Sequence, residues 1–246
     1  MHSPAASGFA LREVTLLAGL TPAQRDAVAA QCSWQRMSAG DMVLAREDTG
    51  AAAHGQSVYL VVAGSVRVTT YSAAGRQVTF RDVAAGDWFG EIAAIDGGPR
   101  SADIQAITEG LLAVVPRMLF LQLMQQHVDV LEQVLRRLTG LVRSLSQRVV
   151  DLSTLGVPQR LQAELLRLAM QAGIEGNRAR IAPAPRHADL ASAISTYREQ
   201  ISREMSALQR AGLVCKEPGA LIVLDVQRLE ALVQKNRAGL STVPQE

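Results

Sequence analysis

The sequence predicts an α+β protein: an antiparallel β sandwich, then one long helix, then a small helical domain carrying β hairpins. Short apolar runs punctuated by glycine-bearing turns fill residues 42–115, an apolar heptad repeat runs through 128–152, and helical periodicity broken by two hairpin turns fills 158–237. The expected division is a β domain over residues 14–126, a dimerisation helix over 127–152, a hinge at 153–157 and a second domain over 158–246.

At 246 residues the chain has room for two domains, and 48% hydrophobic with 20% charged residues gives each a core to fill. No apolar run approaches the roughly 18 residues of a membrane span, and the N-terminus lacks the pattern of a secretory signal. A cytoplasmic location without a membrane partner is expected. Cys32 and Cys215 have no paired spacing, so neither a disulfide framework nor a metal cluster is expected. The net charge of +2 is unevenly divided, with −1 on residues 1–157 and +3 on 158–246. Between Arg178 and Lys216 seven basic residues face three acidic ones, a modest footprint for nucleic acid.

Thr21-Pro22 opens a short amphipathic helix reaching toward Cys32, with Thr21 as cap. The pattern changes at Trp34. Apolar runs at 42–44, 58–62, 66–70, 77–80, 88–89, 104–107 and 111–115 are separated by turns at Gly40-Asp41, Gly64-Ser65, Ala74-Gly75, Gly86-Asp87, Gly97-Gly98 and Glu109-Gly110. Seven or more short strands so spaced make an antiparallel sandwich, with a jelly roll as the natural closure. Residues 48–56, rich in Ala and Gly, read as an extended loop. Pro116 closes the β region and a short helix follows over 117–126.

In the long helix, Leu131, Leu138, Leu145 and Leu152 take one heptad position, and Leu135, Val142 and Val149 the position four residues later. Leu at d with mostly β-branched residues at a favours two parallel strands, so a homodimer through 128–152 is expected. The competing reading is a core helix packed on its own domain. Gly156 ahead of Pro158 marks the hinge, and the helix over 158–171 repeats Leu161, Leu165 and Leu168 on one face. Gly176-Asn177 turns a hairpin, helices follow around 188–194 and 197–211, Pro218-Gly219 turns a second hairpin, and 226–237 is an appended amphipathic helix. Helices followed by such a hairpin give the order of a winged helix-turn-helix.

One turn of the sandwich differs from the others. In the stretch from Phe89 to Ala102, Gly90 opens a very short helix and Arg100-Ser101 follows a Gly-Gly-Pro loop. Exposed N–H groups at a helix start, a glycine that lets an anion approach and a planar guanidinium fork suit a phosphate. Glu91 would repel that phosphate unless it accepts from a neighbouring hydroxyl, as a ribose 2′-OH supplies. The simpler alternative is a salt bridge between Glu91 and Arg100.

The order Gly90-Glu91-Ile92-Ala93 followed by Pro99-Arg100-Ser101-Ala102 resembles the phosphate-binding cassette of cyclic-nucleotide-binding domains. Gly86-Asp87-Trp88-Phe89, Val58-Tyr59-Leu60-Val61 and Gly64-Ser65-Val66 fit the same barrel. With the long helix and the helix-turn-helix in matching order, residues 17–224 resemble a regulator of the cyclic AMP receptor protein (Crp/Fnr) family. The resemblance implies that Gly90, Glu91, Ile92, Arg100 and Ser101 hold the ribose and cyclic phosphate of an effector, while Val83 lines the base pocket. Members that bind cyclic AMP carry adjacent Thr and Ser on the dimer helix against the adenine. Here Leu145 and Ser146 stand there, so Ser146 is the expected base contact and both cyclic AMP and cyclic GMP remain open.

Leu190, Ile194, Ile201, Met205 and Leu208 form the inner faces of two short helices joined near Ser195-Thr196, and Thr196 with Glu199 gives a capping-box signal for the second. Its outer face carries Arg198, Glu199, Ser202, Arg203, Ser206 and Arg210, residue types that read guanine and cytosine edges in a major groove. A merely solvated face is the competing reading. Tyr197-Arg198-Glu199-Gln200-Ile201-Ser202-Arg203 resembles the recognition helix of the same family. That implies double-stranded DNA with TGTGA-like half-sites, read by Arg198, Glu199 and Arg203. Arg186 and His187 fall at backbone-contacting positions, and Thr196, Tyr197 and Ser202 complete the set; RNA polymerase is a further implied partner.

Catalysis is not expected, because His2, His54, His127 and His187 are scattered and no nucleophile–base constellation appears. The alternative function is a DNA-binding regulator of the same fold that responds to another ligand or to none. Relatives that ignore nucleotides have lost the cassette Arg or Glu, and this chain keeps both.

Overall fold

A computed structural model describes residues 7–46, 56–71 and 77–238. The expected loop at 48–56, Gln56 apart, and the Ala74-Gly75 turn lie outside the described residues. The chain divides into two compact units, Met1–Val142 and Arg143–Glu246, a boundary that falls within the long helix.

In the first unit, two short 3₁₀ turns precede α1 (Pro22–Ala29), where Thr21 and Gln24 form the reciprocal capping box that fixes the helix start. Among the described residues eight strands follow: β1 (Ser33–Met37), β2 (Met42–Leu44), β3 (Val58–Ala63), β4 (Ser65–Tyr71), β5 (Gln77–Ala84), β6 (Trp88–Phe89), β7 (Asp103–Ala106) and β8 (Gly110–Val115). They make two antiparallel four-stranded sheets, ordered β1-β8-β3-β6 and β2-β7-β4-β5, the pairing of a jelly roll. A short helix, α2 (Glu91–Asp96), interrupts the strands between β6 and β7.

The unbroken apolar character of β3 and β8 has a packing cause. Tyr59, Val61, Leu112 and Val114 face the inter-sheet core with Val66, Val83, Phe89 and Ile104. Their alternating neighbours Val58, Leu60, Ala113 and Val115 face a second core built with Trp88 and the helices. A sheet covered on both sides needs apolar residues at both parities. The second core takes in α3 (Arg117–Gln126) and the start of α4 (Val128–Thr154), whose Val130 and Val134 are fully buried there. Leu138 continues that face, half-buried. Among the described residues the other apolar stripe of α4 is left open: Leu131, Leu135, Val142, Leu145, Val149 and Leu152 are exposed, Val142 and Val149 at 63% each. The predicted a and d positions therefore lie open along the helix, except Leu138.

In the second unit, α4 runs to Thr154 and α5 (Val157–Ala172) begins with Pro158 in its first turn, so only Leu155 and Gly156 separate the helices, a shorter break than the expected hinge. Then come β9 (Ile174–Glu175), β10 (Arg178–Ile181), α6 (His187–Ala193), α7 (Arg198–Arg210), β11 (Val214–Glu217), β12 (Ala220–Val223) and α8 (Val226–Ala238), with the sheet ordered β11-β12-β10-β9. Leu161, Leu165, Leu190, Ile201, Met205, Val223 and Leu229 meet in one core. Asn177, at the first hairpin, bonds the Asp225 carboxylate, which also caps α8 through the Arg228 N–H at 2.9 Å. These bonds hold the Asp225 carboxyl below its usual range.

Between α6 and α7 the chain turns through Ser195 at φ +57°, a left-handed conformation that costs a residue with a Cβ about 1–2 kcal/mol. Ser195→Gly removes that strain at the cost of greater chain entropy when unfolded. Urea denaturation is expected to show a net stabilisation of roughly 0.5–1 kcal/mol; a loss instead would mean the Ser195 side chain contributes more than the strain it imposes.

Candidate functional site

The cassette is assembled around Gly90, which ends β6 and caps α2 at φ +93°. A Cβ at this position would stand 2.8 Å from the Ser57 carbonyl oxygen and 3.0 Å from the Arg100 guanidinium, so only glycine fits. Arg100 is 4% exposed. It donates from Nη1 to the Gly90 carbonyl at 3.3 Å and from Nη2 to the Ser57 carbonyl at 3.0 Å. Its guanidinium lies 5.6 Å from the centroid of Tyr59, which stacks on Phe89 at 5.1 Å with the rings nearly parallel. Carbonyl dipoles and an aromatic face thus help to fix the cation in place.

Glu91 is also buried, and its basic partner at 3.8 Å is Arg81, whereas the alternative sequence reading had paired it with Arg100. Arg81 faces Val68 across the β4–β5 pair and shares its side of the sheet with Val83, toward the sandwich interior. Burial raises the Glu91 carboxyl above its usual range, opposed by Arg81, by the N–H groups of Glu91 and Gly90, and by Arg100. Burial likewise lowers Arg81, opposed by Glu91. Arg81 also stands 3.7 Å from the Asp87 carboxylate, whose other oxygen accepts from Arg137 of α4. The sequence reading missed Arg81, Asp87 and Arg137; the alternation Thr79, Arg81, Val83 along β5 was the available signal for the first.

The other predicted effector residues are dispersed. Val83 is wholly buried in the inter-sheet core beside Tyr59 and Phe89, Ile92 is 39% exposed on α2, and Ser101 is exposed just after Arg100. Ser146 is exposed on the part of α4 that belongs to the second unit.

In the second unit, Ile201, Met205 and Leu208 bury one face of α7, which leaves Arg198, Glu199, Arg203, Ser206 and Arg210 exposed on the other. Tyr197, 69% exposed, caps the helix without a side-chain cap bond. The expected Thr196–Glu199 capping box is therefore incorrect: Thr196 lies one residue before the cap, buried, with its N–H closing the turn onto the Ala191 carbonyl. His187 and Ser202 come together at 2.9 Å, tying the start of α6 to α7. Burial, then Lys216 of β11 and Arg198, holds the His187 imidazole below its usual value and hence neutral at pH 7. Arg186 donates two bonds to Asp189, both at 3.1 Å. Lys216, absent from the predicted set, extends the basic face onto the hairpin.

A β jelly roll with a buried Gly-Glu…Arg cassette, joined to a unit that presents a charged helix after a tight turn, defines a DNA-binding regulator with a small-molecule site. Residues 34–127 match the cyclic nucleotide-binding domain and residues 159–232 the Crp-like helix-turn-helix domain. The cyclic AMP receptor protein of Thermus thermophilus is 31% identical over 178 residues, 72% of this chain and 80% of the relative. The CRP-like cAMP-activated global transcriptional regulator of Mycobacterium tuberculosis is 26% identical over 176 residues, 71% of this chain and 79% of the relative. The structure of the c-di-GMP responsive global regulator CLP of Xanthomonas campestris aligns with a TM-score of 0.65 at 20% identity, covering 79% of this chain and 94% of that one. The chain belongs to the Crp/Fnr family of transcription regulators, which is not a family of enzymes. No helix among the described residues is long and apolar enough to cross a membrane.

The raised Glu91 carboxyl yields a stability prediction. As pH rises above about 4.5 the unfolded carboxyl ionises before the folded one, so this residue progressively weakens the fold. Glu91→Gln is expected to hold or raise the thermal midpoint at pH 7 and to flatten its pH dependence above pH 4.5. A lower midpoint at pH 7 would show instead that pairing with Arg81 outweighs the burial cost.

Proposed function

We propose that this chain is a cytoplasmic homodimeric transcription regulator that binds a cyclic mononucleotide, cyclic AMP or cyclic GMP, and in response binds a palindromic TGTGA-like site, acting with RNA polymerase. The observation that carries the effector reading is a buried guanidinium and a buried carboxylate brought to one short helix start. Arg100 and Glu91 are both buried around Gly90, the first offering a guanidinium to a phosphate and the second a carboxylate to a sugar hydroxyl. A cyclic phosphodiester brings one negative charge, and its ribose hydroxyl gives Glu91 a donor. Gly90, Ile92, Ser101, Val83 and Ser146 complete the effector set in this reading. Self-association through the open apolar stripe of α4 supplies the two-fold symmetry that a palindrome requires.

Leu145 on α4 supports a second reading, in which the effector differs: no hydroxyl stands there to meet adenine. Cyclic di-GMP, named for the Xanthomonas relative, is then the first candidate. Calorimetry with cyclic AMP, cyclic GMP and cyclic di-GMP, with and without operator DNA, distinguishes the readings. Micromolar or tighter binding of a cyclic mononucleotide, strengthened by DNA, is expected; no binding of either mononucleotide removes the first reading, and affinity indifferent to DNA removes the coupling.

On the DNA side, Arg198, Glu199 and Arg203 read bases, while Arg186, His187, Thr196, Tyr197 and Ser202 support the backbone contacts. Arg198→Ala and Glu199→Ala are each expected to weaken the preference for the palindrome over scrambled DNA by about 1–3 kcal/mol in competition binding. Preference retained in both variants would remove α7 as the reading element.

A further inference from the structure

Arg81 and Asp87 have no part in the function proposed above, yet they form a continuous path from the effector carboxylate to α4. Arg81 Nη2 stands 3.8 Å from Glu91 Oε1, and Arg81 Nη1 stands 3.7 Å from Asp87 Oδ2. The opposite oxygen, Asp87 Oδ1, accepts from Arg137 Nη2 and from the Trp88 N–H. Both guanidinium groups also donate to the carbonyl of Trp88, from Arg81 at 3.4 Å and from Arg137 at 3.5 Å, and Arg137 lies 4.7 Å over the buried Trp88 ring. Asp87-Trp88 is thus clamped between a strand residue facing the cassette and a residue of α4.

We propose that Arg137 is a positioning residue through which occupancy of the Glu91 site acts on α4, with Arg81 and Asp87 as the intervening links. This rests on the reading of Glu91 as the ribose-binding carboxylate. The separations from Arg81 to its two carboxylates are nearly equal and both exceed the 2.7–2.9 Å of a charge-assisted hydrogen bond. Arg81 is therefore poised between them, and little is lost when it moves toward either. A phosphodiester beside Arg100 adds negative charge on the Glu91 side and draws Arg81 that way. Asp87 Oδ2 is then released, and the carboxylate turns fully to Arg137. The hold on α4 tightens next to Val134 and Leu138, where the helix already packs on the β unit. The ligand biases α4 only to the extent that it binds the tightened arrangement better than the loose one.

The test uses the full chain with cyclic AMP and cyclic GMP as probes. In the wild type, DNA affinity is measured with and without nucleotide, and amide exchange is followed across residues 130–142. Nucleotide is expected to slow exchange in that segment. Arg137→Gln and Asp87→Asn are expected to keep nucleotide affinity within about threefold while losing most of the nucleotide-dependent gain in DNA affinity, typically 5–150-fold where two sites are coupled. The double variant should be no worse than either single one, because both break the same path. Unchanged exchange in the wild type with nucleotide bound, retained coupling in either variant, or additive losses in the double variant each overturn the inference. A wild type that binds neither nucleotide fails earlier, at the proposed function, and overturns both together.

Discussion

Charge buried against an apolar sandwich is the constraint on which the N-terminal unit depends. Removing a charged group from water costs several kcal/mol unless hydrogen bonds or a counter-charge restore what hydration supplied. Arg100 meets that cost with two backbone carbonyls and the face of Tyr59, and Glu91 meets it with Arg81. Each solution fixes its neighbours. The Gly90 carbonyl can reach Arg100 only if Gly90 has no side chain and sits at positive φ, and Tyr59 holds its place by stacking on Phe89 from the adjoining strand. Apolar residues of similar volume would often stabilise such a position at least as well. A charged set kept in spite of that cost is better suited to an incoming ion than to the fold itself.

The long helix carries a second constraint. Its first half is apolar on two sides: Val130, Val134 and Leu138 face the β unit, while Leu131 and Leu135 stand open. Its second half keeps the open stripe through Val142, Leu145, Val149 and Leu152. A contiguous apolar surface along most of a 27-residue helix is more than a monomer ordinarily leaves in water. The heptad spacing of that stripe matches a second copy of the same helix, which can cover it at every turn. Leu138 departs from the pattern because the β unit competes for it, so a seam formed with a second copy would be weakest at the level where Arg137 meets Asp87.

These two constraints differ in how far the sequence revealed them. Most strands from β2 to β8 and the bounds of α3 were legible because apolar runs, turn glycines and Pro116 mark them locally, but the run read at 77–80 covers only the first half of β5. Strand β1 was not among the predicted runs: in Ser33–Met37 only Met37 is fully buried, and Gln35 and Arg36 conceal the alternation. The cassette was legible as a motif, including the special place of Gly90. The partner of Glu91 was not, since Arg81 reaches it through the β4–β5 register and a bulge at Thr69, which linear spacing does not encode. The same holds for α7. Thr196 with Glu199 has the local form of a capping box, but the Ser195 turn draws Thr196 into the core and leaves the cap to Tyr197.

The turn before α7 brings together two unfavourable terms that bear on binding. Ser195 is held in a strained conformation, and burial, followed by the charges of Lys216 and Arg198, lowers the His187 imidazole from its usual value. The His187–Ser202 bond nevertheless holds α7 in register with α6, so the exposed arginines are presented on a fixed scaffold. If this face binds DNA as proposed, the phosphate backbone brings negative charge beside Arg198 and Lys216 and favours a proton on His187. Binding by this face should weaken steeply with added salt, because counterions compete for the same cations and each phosphate contact displaces one.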